Sequence, residues 1–224
     1  MMEAMVSLRW ARFLLLLVLL AACAPAPQTP PPAEARVEGP VSFYPKETGL
    51  AWHYLPEGLP LDAPRYTLRV EGLGSFEGTP GLRYRFFGRG QDRVYYRQTG
   101  DDGVKLLGYE ERITLSRVEF DPPFLEYPPK SLLQVGYQWG GKSRVKSYFA
   151  LPSGIVKQAE LTLDYRFEVL ARREVEVPAG RFLAYVIRFS AKGGEEAIES
   201  ELWFVPHVGE VRTREGLVLI DKNF

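Results

Sequence analysis

Apolar and polar side chains alternate with a period of two through most of the chain, which is the pattern of strands that bury one face. Residues 65–71 place three apolar side chains on one face and four polar ones on the other. The same phase runs through 161–177, with Leu161 and Leu163 among its inward positions, and predicts one long, bent strand. No stretch shows a sustained helical period, and only 153–160 could form one helical turn. The sequence therefore predicts an all-β fold.

Clusters of glycine, proline and aspartate separate further short apolar segments. Strands are predicted at 50–55, 82–88, 93–99, 104–110, 112–120, 134–139, 143–150, 182–190, 197–205, 210–214 and 217–221. Because each strand has one polar face, the sheet has a dry side that must be covered. A strongly curved antiparallel sheet or a partly open barrel of about 11–13 strands would cover it within a single β-domain, 41–224. Lipocalin-like and lipoprotein-carrier folds have this architecture.

The N-terminus has the layout of a secretory signal. Two arginines precede an eight-residue apolar run, 13–20, which is too short to cross a hydrocarbon core of about 30 Å. The run ends in Leu-Ala-Ala-Cys, which resembles a bacterial lipobox, and Cys23 is the one cysteine of the chain. We therefore expect 1–22 to be a lipoprotein signal peptide and Cys23 to be acylated, so that its acyl chains anchor the protein in a membrane.

Cys23 is followed by alanine and then by a proline-rich segment. In envelopes with two membranes, aspartate after the lipidated cysteine retains a protein in the inner membrane, so Ala24 favours the outer membrane, facing the periplasm. Residues 23–40 are predicted to be the lipidated cysteine and an extended tether. The mature chain would contain no methionine and a single asparagine, Asn223, which favours a thermophilic source.

Five segments spanning 44–211 resemble a group of uncharacterised secreted bacterial β-sheet proteins, many of which are lipoproteins. They are Tyr44-Pro45 with Gly49 and Trp52; Tyr95-Tyr96-Arg97 with Asp102-Gly103-Val104; Pro122-Pro123 with Val135-Gly136 and Trp139; 175–182 (VEVPAGRF); and 203–211 (WFVPHVGEV). The resemblance implies a curved antiparallel sheet or an open barrel. It implies no catalytic residues.

Four residues in these segments are predicted to define turns. Pro178 and Pro206 end strands because proline cannot donate to the ladder, and Gly180 and Gly209 permit the reversals that follow. After the first reversal, Leu183, Tyr185, Ile187 and Phe189 are expected to share one face.

Catalytic and metal-binding motifs do not occur in the sequence, which contains two histidines and lacks zinc-ligand spacings and a nucleophile elbow. Glu174 and Glu176 are spaced like glycosidase carboxylates, but they alternate with valines and are better explained by a solvated face. The 28 basic and 28 acidic side chains exclude a nucleic-acid binder held by bulk positive charge. We therefore expect no enzyme, no cofactor, no metal and no nucleic-acid partner, with a hydrolase as a distant alternative.

Arginines recur along two neighbouring predicted strands. Arg83, Arg85, Arg89, Arg93 and Arg97 are assigned to the wet face of the sheet, where acidic side chains would pair with them.

Aromatic side chains exceed what one sheet face needs. The candidates for a ligand-facing or core position are Trp52, Tyr95, Tyr96, Phe124, Tyr127, Trp139 and Trp203, and the proline-bounded loop 121–130 could be a lid. Two functions remain open. The β-domain could dock another envelope component or serve a structural role. Alternatively, it could be a carrier or sensor that holds an apolar, lipid-like ligand. A filled interior would favour docking, and an apolar cavity of a few hundred Å³ would favour a carrier.

Overall fold

Twelve strands form the computed structural model over the residues that it describes, 36–151 and 153–224. They are β1 (Ala51–Pro56), β2 (Tyr66–Phe76), β3 (Thr79–Gly88), β4 (Gln91–Gly100), β5 (Gly103–Glu111), β6 (Ser116–Tyr127), β7 (Gln138–Leu151), β8 (Gly154–Val177), β9 (Gly180–Gly193), β10 (Glu196–Val205), β11 (Gly209–Arg212) and β12 (Leu217–Lys222). The one helical element in these residues is a 3-10 turn, Lys130–Leu132. The predicted all-β class and the predicted number of strands are confirmed.

The strands close into a barrel. Each strand pairs antiparallel with its neighbour in sequence, and β1 pairs with both β2 and β12, so the first and last strands complete the circle. The barrel is therefore closed, where the sequence predicted a curved sheet or a partly open barrel. Closure gives the backbone of β1 and β12 ladder partners on both sides, which removes the exposed sheet edge that an open barrel would keep.

Two clusters of buried side chains fill part of the barrel interior. One is aromatic and centres on Phe167, whose ring stacks on Trp139 at 5.0 Å and lies 4.8 Å from the ring of Phe189. The other is mostly aliphatic and includes Val70, Val211 and Leu219, all of which are fully buried. Burial of such side chains is worth about 1.5–3 kcal/mol each relative to exposure, so both clusters stabilise the closed sheet.

The strand predicted at 161–177 begins earlier than expected, at Gly154, and is 24 residues long. Residues 154–160 are extended and pair with β7, so the helical turn predicted at 153–160 is wrong. The inward assignment of Leu161 is also wrong, because its side chain is 43% exposed. Residues 154–162 of β8 are exposed at every position, so their side chains have no core to face.

The face of β9 that is buried changes along the strand. Leu183 is 51% exposed while Ala184 is buried, yet Ile187 and Phe189 are both buried. The pairing of β9 is continuous, so Leu183, Tyr185, Ile187 and Phe189 share one face, but that face is exposed at Leu183. The register between β8 and β9 shifts between Val169 and Ala171, where Leu170 is the extra residue, and this bulge re-aims the side chains of β8 on either side of it.

Residues 121–127 lie within a continuous strand, β6, so the lid predicted at 121–130 is wrong. The Asp121–Pro122 peptide bond is cis. Phe124 is 2% exposed and packs in the aromatic cluster. The segment forms part of the barrel wall because β5 supplies its ladder partners at Leu106 and Lys105.

Residues 138–139 and the strand predicted at 143–150 belong to one strand, β7, whereas residues 134–136 form a bend and a turn, so the strand predicted there is wrong. Gly140 and Gly141 were interpreted as a break, but both pair with β8. A Cβ atom at Gly140 would lie 2.1 Å from the carbonyl oxygen of Tyr165. Glycine at this position therefore permits a close approach between two strands and does not mark a turn.

The end of the predicted tether contacts the barrel. The backbone N–H of Val37 donates to the carbonyl oxygen of Asn223 at 2.8 Å, and the side chains of Val37 and Val41 pack against the aliphatic cluster. Val37 is therefore half-buried against the barrel, whereas the other residues from 36 to 40 are exposed. The signal peptide, Cys23 and the rest of the tether lie outside the described residues.

Candidate functional site

A cavity of about 400 Å³ lies inside the barrel. Nine aromatic side chains line it: Tyr44, Trp52, Tyr54, Tyr66, Tyr84, Phe86, Tyr95, Tyr127 and Phe204. Six charged side chains share the lining: Arg93, Arg97, Arg214, Glu126, Glu210 and Glu215. The cavity wall therefore combines apolar aromatic rings with charged side chains.

Strand alternation explains how arginines enter this interior. Arg93, Tyr95 and Arg97 are two residues apart on β4, so all three point to one face, and that face lines the cavity. The prediction that Arg93 and Arg97 lie on the wet face is wrong. Arg83, on β3, pairs with Glu71 at 2.6 Å and does not line the cavity.

Arg97 and Glu126 form the most buried ion pair at the site, with side chains that are 16% and 8% exposed. Both guanidinium nitrogens Nε and Nη2 bond the carboxylate, and the Nη2–Oε1 distance is 3.1 Å. The guanidinium lies 4.7 Å from the ring centroid of Tyr84, within cation–π range. Burial opposes the charged form, but Glu126 outweighs it and holds the pKa of Arg97 above its ordinary value.

The other two arginines are also paired. Arg214 contacts Glu215 at 3.2 Å and Glu126 at 3.8 Å. Arg93 bonds the carboxylate of Glu111 and donates to the hydroxyl of Tyr95 at 3.0 Å. Each cavity arginine therefore has a carboxylate partner before any ligand enters.

Glu210 differs from the other cavity carboxylates. Its Oε1 accepts a hydrogen bond from the hydroxyl of Tyr127 at 2.6 Å, while the hydroxyl of Tyr54 donates to its backbone carbonyl at 2.8 Å. Among the described residues, no basic group lies within ion-pair distance of the Glu210 carboxylate. Burial raises the pKa of Glu210 to about 7, and the charge of Glu215 adds to the rise. A carboxylate facing the cavity without a counter-ion is costly to ionise.

The seven aromatic candidates divide between the cavity and the rest of the fold. Trp52, Tyr95 and Tyr127 line the cavity. Phe124 and Trp139 belong to the aromatic cluster beside it.

The other two aromatic candidates also lie away from the cavity lining. Tyr96 packs with Phe76, Val94 and Leu107 in a small third cluster, as expected from its opposite phase to Tyr95. Trp203 is half-buried, and its indole nitrogen donates to Glu201 at 2.7 Å.

The four predicted turn residues lie between strands or at strand starts. Pro178 follows β8, and Gly180 begins β9 with φ +131°. Pro206 follows β10, and Gly209 begins β11 with φ +98°. A Cβ at Gly209 would lie 3.3 Å from the indole nitrogen of Trp52, so this glycine also makes room for a cavity aromatic.

The residues considered for catalysis do not converge. His53 is buried and its Nδ1 lies 3.0 Å from the hydroxyl of Thr67, while His207 is in an exposed turn. Glu174 and Glu176 are both exposed on β8. Over the described ranges, no group of three or more histidine, cysteine, aspartate or glutamate side chains could hold a metal ion. No helix in the described part of the chain is long and apolar enough to cross a membrane.

Four charged residues of the cavity were not singled out from the sequence: Glu126, Glu210, Arg214 and Glu215. Glu126 lies beside Tyr127 in the segment interpreted as a lid, Arg214 ends the strand predicted at 210–214, and Glu215 follows it in the predicted turn. The arginines of β4 carried a usable signal, because they share their phase with Tyr95, a candidate ligand-facing residue. Glu210 carried no comparable signal.

No protein-family model and no curated protein matches the chain. Among solved structures, a protein from Bacteroides fragilis with a YmcC-like fold, inferred to be exported, is similar to it. The two are 13% identical, the TM-score is 0.45, and the match covers 82% of this chain and 100% of the other. The resemblance to secreted bacterial lipoproteins stays a prediction.

Proposed function

We propose that the protein is a lipid-anchored envelope protein whose barrel carries or senses a small amphipathic ligand. The cavity of about 400 Å³ carries this proposal, because its size falls within the range of small-molecule sites. A docking or purely structural domain needs no such space in its interior. The carrier alternative is therefore favoured over the docking role.

The chemistry of the lining favours an amphipathic ligand over a purely apolar one. Aromatic rings such as Trp52 and Tyr95 offer apolar faces, while Glu126, Arg97 and Glu210 present charge to the same space. An alkane-like ligand would leave these charges facing an apolar surface, which is unfavourable. A ligand with an apolar body and a polar or charged group would match both parts.

The anchor and the location complete the proposal. Acylation at Cys23 would hold the barrel in the cell envelope, with Ala24 favouring the outer membrane. The proposed role is non-catalytic: ligand binding accounts for the cavity without a reaction. Docking of an envelope partner through the barrel surface stays a prediction.

Native mass spectrometry of the full-length protein extracted from its own membrane tests the proposal. We expect a bound species in the hundreds of daltons that leaves on gentle activation, in addition to the covalent acyl chains. A spectrum with acyl chains only would contradict the carrier role. A stable complex of much higher mass, without a small ligand, would support docking instead.

A matched pair of variants locates the ligand. Leu68→Trp places a larger side chain into the cavity, and Leu73→Trp makes the same change on β2 at a residue that is 85% exposed. We expect Leu68→Trp to remove the bound species and Leu73→Trp to retain it. Retention in both variants would show that the ligand binds elsewhere.

A further inference from the structure

Glu210 is the one cavity carboxylate without a cationic partner among the described residues. The three cavity arginines pair with Glu111, Glu126 and Glu215, as their distances show. Glu210 instead accepts a hydrogen bond from a neutral phenol, Tyr127. The lining holds three arginines and three glutamates, but Arg93 is paired with Glu111, which lies outside the lining, so an ionised Glu210 has no cation within ion-pair distance in the described part of the chain.

Aromatic side chains contact Glu210 and line the cavity that it faces. Tyr54 and Tyr127 each donate a hydrogen bond to Glu210, to its backbone carbonyl and its side chain respectively. Trp52 packs against the neighbouring Gly209 and lines the same cavity. A carboxylate among electron-rich rings is the arrangement that attracts an organic cation, through charge and through cation–π contacts.

We propose that the cavity selects a small organic cation, an ammonium group on an apolar body, whose charge lies against Glu210 and whose body contacts Trp52 and Tyr54. The inference rests on the proposed ligand-binding function and specifies its ligand class. Anionic ligands are disfavoured because they would have to displace carboxylates from arginines that are already paired, and would meet the charge of Glu210.

The charges around Glu210 balance one another and leave its own charge unbalanced. The groups that face Glu210 or act on its charge are Tyr127 and Glu126 from β6, Tyr54 from β1, Arg97 from β4, and Arg214 and Glu215 from the segment before β12. Two are carboxylates and two are guanidinium groups, and the tyrosines are neutral because burial raises the pKa of both well above its ordinary value. A bound cation supplies the missing counter-charge.

The test compares three probes of similar size at pH 8: hexyltrimethylammonium, hexanesulfonate and 1-octanol. Binding is measured by calorimetry on the full-length protein in nanodiscs, with empty nanodiscs as the blank. We expect the ammonium probe to bind at least about tenfold more tightly than the sulfonate, which corresponds to about 1.4 kcal/mol. Tighter binding of the sulfonate than of the ammonium probe would overturn the inference and indicate that the arginines recognise the ligand.

Glu210→Gln is the decisive variant, because glutamine keeps an oxygen that can accept from Tyr127 and loses only the charge. We expect Glu210→Gln to weaken binding of the ammonium probe by at least about tenfold and to change the affinity for 1-octanol by less than about threefold. The control is Glu196→Gln, which removes an exposed carboxylate at the start of β10 and should change neither affinity. An unchanged ammonium affinity in Glu210→Gln would refute the role of Glu210.

The outcomes separate the inference from the proposed function. Binding of 1-octanol without a preference for the ammonium probe would leave the ligand-binding barrel standing and overturn the cation. Failure of all three probes, together with no small ligand in the membrane-extracted protein, would overturn both. Retained 1-octanol binding in Glu210→Gln also shows that the variant is folded.

Discussion

Replacement of Glu210 by glutamine should stabilise the ligand-free protein, and more so as the pH rises. Burial raises the pKa of this carboxyl from 4.5 to about 7. The folded protein therefore keeps a proton between these two values that the unfolded chain releases, and its stability falls as the pH rises through that window. Above the folded pKa the loss is complete and stability levels off.

The size of the effect follows from the shift. Each pKa unit corresponds to about 1.4 kcal/mol, so the full penalty of ionising Glu210 amounts to about 3 kcal/mol. Part of it is already present at pH 5, which leaves a change of about 2–3 kcal/mol between pH 5 and pH 8. Glutamine does not titrate and keeps an acceptor for Tyr127, so Glu210→Gln should lack this loss.

Urea unfolding followed by tryptophan fluorescence at pH 5 and pH 8 measures the difference. We expect Glu210→Gln to be close to the parent at pH 5 and more stable by about 2–3 kcal/mol at pH 8. Glu196→Gln, with an exposed carboxylate, is the control for general effects of charge removal. The reasoning would be refuted if the difference in unfolding free energy between Glu210→Gln and the parent did not grow with pH. A variant that is less stable than the parent at pH 8 would also refute it.

Three further perturbations follow from the structure. Glu126→Gln should cost about 3–5 kcal/mol in unfolding free energy, because it leaves the buried charge of Arg97 uncompensated; a cost below about 1 kcal/mol would mean that solvent screens the pair. Gly180→Val should cost about 1–3 kcal/mol because of its positive φ, whereas Arg181→Ala, whose ion pair is exposed, should cost less than about 0.5 kcal/mol; equal urea midpoints would contradict this. Cys23→Ala should leave the protein in the soluble or uncleaved fraction, and unchanged membrane retention without acyl chains would contradict the anchor.

The period-two pattern was sufficient to predict the fold class and the number of strands. Alternation reports which side chains share a face, but closure depends on the pairing of β1 with β12, which alternation does not report. Alternation cannot report a bulge, such as the one at Leu170 that shifts the register between β8 and β9. It also cannot report where a strand leaves the core, which is why the inward assignment of Leu161 failed.

The candidate site was predicted only in part, for an electrostatic reason. Trp52, Tyr95 and Tyr127 were among the aromatic candidates and line the cavity. Arg93 and Arg97 were assigned to solvent because an isolated charge is rarely buried. Burial of Arg97 becomes tolerable only through Glu126, on a strand that is not its neighbour, and a single sequence does not show that pairing.

The position of Glu210 was even less predictable from the sequence than that of the arginines. It alternates with core residues of β11 in a strand of four residues, too short for its phase to be assigned from sequence. Its environment is built from β1, β6 and the segment before β12, which only barrel closure brings together. The residue that carries the most specific functional inference is therefore the one that the sequence indicated least.

A crystal structure of the protein purified from its own membrane tests the central claim most directly. The account predicts ordered non-protein density inside the barrel, in contact with Trp52 and Tyr95, and with its polar end at Glu210. A barrel whose interior holds only its own side chains and water, in protein that never left native lipid, would contradict the claim that this cavity exists to bind a ligand.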